Sequence, residues 1–102
     1  MPFVALEKLH QLYDGYRKAF TLGGQPLLLL QENGKTLLMK NSCPHAGAAL
    51  TYATCVGNAI RCPLHGMVFD LHSGRSTNPA CSDSLQFIPL IYEGNTLGVE
   101  WN

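Results

Sequence analysis

The chain has 102 residues, and seven Lys and Arg balance seven Asp and Glu to a formal charge of zero. Hydrophobic residues make up 46% and charged residues 14%, which fits one domain over residues 1–102 and excludes a disordered chain. The balanced charge gives no case for nucleic acid or an anionic membrane surface as partner, and Pro26-Leu27-Leu28-Leu29-Leu30 falls far short of the ~20 residues of a membrane span.

In chain order, Phe3-Val4-Ala5-Leu6 is expected to form a short edge strand. A turn or single helical turn carrying Leu9 and Leu12 follows, ending at Asp14-Gly15. His10 lies in that stretch and is expected at or near the surface. The opening Met1-Pro2-Phe3-Val4 lacks a basic region ahead of an apolar stretch, so no secretory signal is expected. From Tyr16 the pattern becomes β. Tyr16–Leu22, Gln25–Gln31 and Lys35–Lys40 are apolar runs broken by Gly23-Gly24 and Asn33-Gly34, and Asn-Gly tolerates the positive φ angles of a hairpin turn. The leucines from Leu27 to Leu30 are too few for a helix and predict a strand buried on both faces.

Ala48-Ala49-Leu50 is expected to pack beneath the turn that precedes it. Tyr52–Val56 and Ala59–Arg61 then form a hairpin through Gly57-Asn58. Met67–Leu71 is a further strand, ended by His72-Ser73-Gly74, where His72 is expected in solvent. Ser76–Ser84 is a polar loop. Gln86–Tyr92 and Thr96–Trp101 make a closing hairpin across Glu93-Gly94-Asn95, with Pro89 marking an edge or bulge. Phe69, Leu71, Phe87, Ile91 and Trp101 are assigned to the core. Arg61 and Arg75 are read as solvated strand ends.

Two stretches carry the chemistry: Cys43-Pro44-His45 and Cys62-Pro63-Leu64-His65. Each sets a thiolate and an imidazole donor close together in a turn. A proline follows each cysteine, fixing the backbone, and Gly47 and Gly66 follow the histidines, where a residue without Cβ lets N–H groups approach a bound group. Tetrahedral Cys₂His₂ is also a zinc donor set, but zinc fingers pair cysteines in one half and histidines in the other. Here each half holds one of each.

This arrangement, with sixteen residues between the halves, resembles the Rieske motif C-x-H then C-x-x-H. The resemblance implies one [2Fe–2S] cluster, with Cys43 and Cys62 on one iron and His45 and His65 on the other. It also implies an all-β Rieske fold: an antiparallel β-sandwich base from the two ends of the chain, with a cluster-binding subdomain inserted at about residues 41–81. Two neutral imidazoles in place of two thiolates leave the oxidised cluster formally neutral, so it is reduced more easily than a four-cysteine cluster, and the histidine-bound iron takes the electron. Backbone N–H groups around Gly47 and Gly66 are expected to bond to the sulfides.

Respiratory-chain Rieske proteins carry a further disulfide whose positions are Ala48 and Leu64 here, so that bridge cannot form. They also place hydroxyls near cluster sulfurs where this chain has Met67 and Phe69. The chain therefore resembles the soluble Rieske ferredoxins. That implies a monomeric one-electron carrier between a flavoprotein reductase and the terminal oxygenase of a ring-hydroxylating system, with no catalysis of its own. Only His10 and His72 remain for any mononuclear iron. The alternative is the small Rieske-like subunit of an assimilatory nitrite reductase. Cys55 is expected as a small core residue and Cys81 as a packing thiol near the cluster. Two such thiols are too few for a disulfide framework, which points to a reducing cytoplasm.

Overall fold

The computed structural model describes residues 2–44, 47–64, 66–78 and 80–101. These residues form nine strands in three antiparallel sheets: β1 (Phe3–Lys8), β2 (Arg17–Leu22), β3 (Gln25–Glu32), β4 (Lys35–Lys40), β5 (Thr54–Val56), β6 (Ala59–Arg61), β7 (Val68–Asp70), β8 (Ile91–Glu93) and β9 (Thr96–Glu100). The sheet orders are β1-β9-β8, β2-β3-β4 and β5-β6-β7. A single 3-10 turn, Leu9–Gln11, follows β1. The all-β fold with antiparallel sheets is the expected one, and β1 lies on a sheet edge.

The β2-β3-β4 sheet is the middle layer, and β3 explains why. Successive strand residues face opposite sides, so Leu27 and Leu29 enter one core while Leu28 and Leu30 enter another. The first core joins the middle sheet to the sheet of the chain ends through Leu6, Leu38, Leu97 and Val99. The second joins it to the inserted unit through Met39, Leu50, Ile60, Phe69, Leu71 and Leu85. All four leucines of β3 are 0–1% exposed, as the unbroken run requires. Each stabilises the fold by about 1.5–3 kcal/mol.

The turns follow the chemistry of their residues. Asn33 (φ 52°) and Gly34 (φ 75°) close β3 onto β4 with both central residues at positive φ, the primed turn that matches strand twist. Asp14 Oδ1 accepts from the Gly34 N–H at 2.9 Å and from Gln31 Nε2 at 3.1 Å, which holds its carboxyl below the usual range. In β1 the register shifts between Ala5 and Glu7, a bulge at the buried Leu6.

Three expectations change. Gln86–Tyr92 is not one strand: only Ile91–Glu93 pairs with β9. Lys40 N–H donates instead to the Gln86 carbonyl at 2.9 Å, and Ile88 N–H to the Leu38 carbonyl at 2.8 Å, so the segment starts beside β4. Pro89 follows, and pairing with β9 begins only at Ile91, so the chain passes from one sheet to the other across Pro89 and Leu90. Next, Ala49 is exposed, while Ala48 and Leu50 face inward. Finally, Tyr52 is 93% exposed and the hairpin strand begins only at Thr54, because Thr51 and Ala53 on either side of Tyr52 are held by the side chains of Asn41 and Arg17 rather than by a ladder. Of the proposed core residues, Phe69 and Leu71 are buried, Phe87 and Trp101 pack on the two cores half-buried, and Ile91 is half-buried.

Candidate metal centre

Each cysteine stands just past a strand: Cys43 shortly after β4, Cys62 directly after β6. The two turns close in the same way. Cys43 N–H donates to the Ala48 carbonyl at 2.7 Å, and Gly47 N–H donates back to the Cys43 carbonyl at 2.7 Å. In the second turn, Cys62 N–H donates to the Met67 carbonyl at 2.7 Å and Gly66 N–H to the Cys62 carbonyl at 3.1 Å. The fourth residue after each cysteine is therefore Gly47 or Gly66, at φ 75° and 66°. Among the described residues nothing beyond the chain neighbours lies within 4 Å of a Cβ built at either, and it is backbone conformation that favours glycine there. The N–H groups of these two glycines donate to the cysteine carbonyls.

Cys43 is 1% exposed and Cys62 0%, and both belong to the core that holds Leu50, Phe69 and Leu85. A thiolate in apolar surroundings is costly unless a cation lies against it. A cluster iron supplies such a cation, and a coordinating thiol is deprotonated outright. The turn tips behave oppositely: Pro63, Gly47 and Gly66 are exposed, and Leu64 is 66% exposed. The roots of both turns are thus packed and their rims are open. His45 and His65, the other two expected ligands, lie outside the described residues. The donor chemistry that is described, two buried cysteine sulfurs from matching turns in one core, fits the sulfur half of the expected cluster.

The remaining candidates fall elsewhere. Cys55 packs half-buried against the same core, and Arg17 Nη2 donates to its Sγ at 2.9 Å. Burial pushes the Cys55 thiol up, with the Arg17 guanidinium pulling against it. Cys81 Sγ is 3.8 Å from Asp83 Oδ2, in a cavity shared with the half-buried Met67, a neighbour of the second turn. His10 is exposed, 2.9 Å from Asn95 Nδ2, and His72 is exposed. Arg61 and Arg75 are exposed, as expected.

Sequence proximity missed the two polar residues that matter around the first turn. Asn41, 8% exposed, accepts from the Leu50 N–H and donates to Thr51 Oγ1. Arg17 reaches in from β2 to the Thr51 and Ala53 carbonyls. Asn41 could have been suspected as an amide beside a cysteine turn. Nothing in the sequence ties Arg17 to that turn.

No helix among the described residues is long and apolar enough to cross a membrane. The Rieske [2Fe–2S] domain family model matches residues 3–89. The ferredoxin component of the naphthalene 1,2-dioxygenase system of Pseudomonas aeruginosa is 26% identical over 92 residues, covering 90% of this chain and 88% of that one. A methylxanthine N1-demethylase of Pseudomonas putida is 33% identical over 79 residues, 78% of this chain but only 22% of that protein's length. Among solved structures, the ferredoxin of carbazole 1,9a-dioxygenase from Nocardioides aromaticivorans IC177 superposes with a TM-score of 0.81 at 26% identity over 97% of both chains. Matching cysteine turns, a shared buried core and a family match over most of the sequence agree: this chain belongs to the Rieske [2Fe–2S] domain family, whose cofactor is one [2Fe–2S] cluster.

Proposed function

We propose that this chain is a one-electron carrier, a single Rieske domain over residues 1–102, with Cys43 and Cys62 holding one iron and His45 and His65 the other. When bound, the cluster supplies reversible one-electron chemistry at the imidazole-bound iron. The chain's own residues fix the sulfur side in a close-packed core and leave the turn rims open to a partner. The observation that carries this reading is the pair of congruent turns, each with a buried cysteine and an exposed tip.

The partners that suit it are a flavoprotein reductase as donor and a terminal oxygenase as acceptor, with the carrier acting as a cytoplasmic monomer and catalysing nothing itself. The naphthalene-system ferredoxin supports this because the two chains match along nearly their full lengths. The nitrite reductase small subunit is the weaker reading, since all four ligand-type residues are retained here.

Anaerobically purified protein should be red-brown and hold about two irons and two sulfides per chain. After chemical reduction, its paramagnetic resonance should show an average g well below that of four-cysteine clusters. Mixed with an oxidised Rieske oxygenase, the reduced protein should bleach or recolour by one electron per chain. Stoichiometric zinc in a colourless protein would end the reading. An intact cluster that delivers no electron to an oxygenase would leave the nitrite reductase alternative.

A further inference from the structure

The two cysteine turns differ in what holds their returning limbs. After the second turn, Met67 leads directly into β7, which pairs with β6, so a strand ladder fixes both limbs. After the first turn, residues 47–53 contain no strand. Their backbone groups must find partners elsewhere. Asn41 and Arg17 provide them.

At the near end, Asn41 Oδ1 accepts from the Leu50 N–H at 2.7 Å and Asn41 Nδ2 donates to Thr51 Oγ1 at 2.8 Å. Asn41 is itself anchored, its N–H donating to the Pro26 carbonyl of the middle sheet at 2.9 Å. At the far end, Arg17 Nη1 donates to the Ala53 carbonyl at 2.7 Å and the Thr51 carbonyl at 3.4 Å. Its Nη2 lies 3.8 Å from Glu32 Oε1, which balances the charge. Between the two anchors, Leu50 (0% exposed) and Ala53 (3%) pack in the same core as Cys43. The Ala48 carbonyl that closes the Cys43 turn lies two residues before Leu50. A displacement of Leu50 therefore reaches the Cys43 N–H through one short piece of chain.

We propose that Asn41 and Arg17 are positioning residues for Cys43, doing with side chains what the β6–β7 ladder does for Cys62. The inference rests on the ligand assignment given above. Removing either set of bonds leaves buried backbone groups unsatisfied and lets the first turn open. A buried hydrogen bond lost in this way shifts such an opening about tenfold.

The test uses the holoprotein. Asn41→Leu keeps the side-chain size and removes both bonds, and Arg17→Met removes the guanidinium donors. Each should release iron to a chelator about tenfold faster than wild type and shift the g values of the reduced cluster. Asn41→Asp, which can still accept from Leu50 N–H and Thr51 Oγ1, should restore the wild-type spectrum. Leu97→Ala, in the other core, provides a control of lowered stability. Its iron should leave no faster at equal global stability, and its g values should stay put. If Asn41→Leu and Arg17→Met match that control in both readouts, the proposal is overturned. Wild-type protein without a [2Fe–2S] spectrum would overturn the ligand assignment and this proposal with it, so the two failures are told apart. If neither variant folds, hydrogen exchange read by mass spectrometry on wild type and Arg17→Lys takes their place. Peptides spanning 41–53 should gain exchange together in Arg17→Lys while those spanning 59–70 do not. An unchanged 41–53 region would overturn the proposal.

Discussion

Restoring hydroxyls beside the second turn should raise the reduction potential, and the structure sets how much each position can contribute. Met67 and Phe69 donate no hydrogen bond from their side chains, so the wild-type potential is expected near the low end of the Rieske range, about −150 mV. Phe69 is 0% exposed in the core that contains both Cys43 and Cys62. A tyrosine hydroxyl there meets either a sulfur or hydrocarbon, since water does not reach it. In the first case it donates to an acceptor that is more negative in the reduced state. A bond to a charged acceptor contributes about 1.5 kcal/mol, and a one-electron couple moves about 59 mV per 1.4 kcal/mol. Phe69→Tyr alone should then rise by about 60 mV. Met67 is half-buried and its carbonyl accepts the Cys62 N–H, so a serine hydroxyl at 67 divides between sulfur and solvent and adds roughly half as much. The double variant should reach about 100 mV above wild type. Protein-film voltammetry measures the shift, and urea unfolding of the same samples measures stability. A Phe69→Tyr protein with an intact cluster, an unshifted potential and about 1–3 kcal/mol less stability would show the hydroxyl stranded in hydrocarbon. That result, or a wild-type potential above about +200 mV, would refute the reasoning.

Gly98 in β9 has no room for a side chain: a Cβ there would overlap the Val4 carbonyl and come within 2.8 Å of the Phe3 ring. Gly98→Ala should therefore push β1 off β9, costing about 3 kcal/mol and lowering the melting temperature by about 15 °C; thermal circular dichroism with an unchanged midpoint would contradict this. Tyr16 donates its hydroxyl to Glu7 Oε2 at 2.7 Å, which holds the Glu7 carboxyl below its ordinary value, aided by the Lys8 N–H and Lys18. Because the folded value lies below the unfolded one, this stabilisation is present above the unfolded carboxyl range and is lost as pH falls through the folded value. Tyr16→Phe should cost about 1 kcal/mol at pH 7, and the gap should narrow below about pH 4; a gap independent of pH in urea titrations would sink the assignment.

What could be read from the sequence was whatever depends on local backbone chemistry. Asn33-Gly34 demanded a primed turn, and Leu27–Leu30 left no solvent-facing side for β3, so a middle layer followed from four residues. The cysteine turns were legible because a proline and a glycine recur at the same distances after Cys43 and Cys62. What could not be read was which partner a hydrogen-bonding segment chooses. Gln86–Ile88 leads into an apolar run that reads as one strand with Ile91, and only the position of β4 beside it decides that it bonds there and not along β9. Arg17 was invisible for the same reason. Its neighbours in sequence are base-sheet residues, and its hydrogen-bond partners Thr51, Ala53 and Cys55 come from the inserted unit.

An electron carrier has to meet two demands that oppose each other in a small fold. Its redox group must move little between oxidation states, which favours close packing, and must lie near a surface, because a partner has to approach it. Protein interiors resist displacement because they are packed as densely as organic crystals, and Cys43 and Cys62 lie in such an interior. Within two residues of Cys62, Leu64 is 66% exposed, and Gly47 and Gly66 stand at the surface of both turns. The hydrogen bonds from Gly47 and Gly66 to the cysteine carbonyls make this reversal possible over so few residues, since each bends the chain back at positive φ without an added side chain. A substitution at either glycine therefore strains the one place where the buried sulfur side and the open rim are joined. It acts on fixity and access together, whereas changes at Asn41 or Arg17 act on fixity alone.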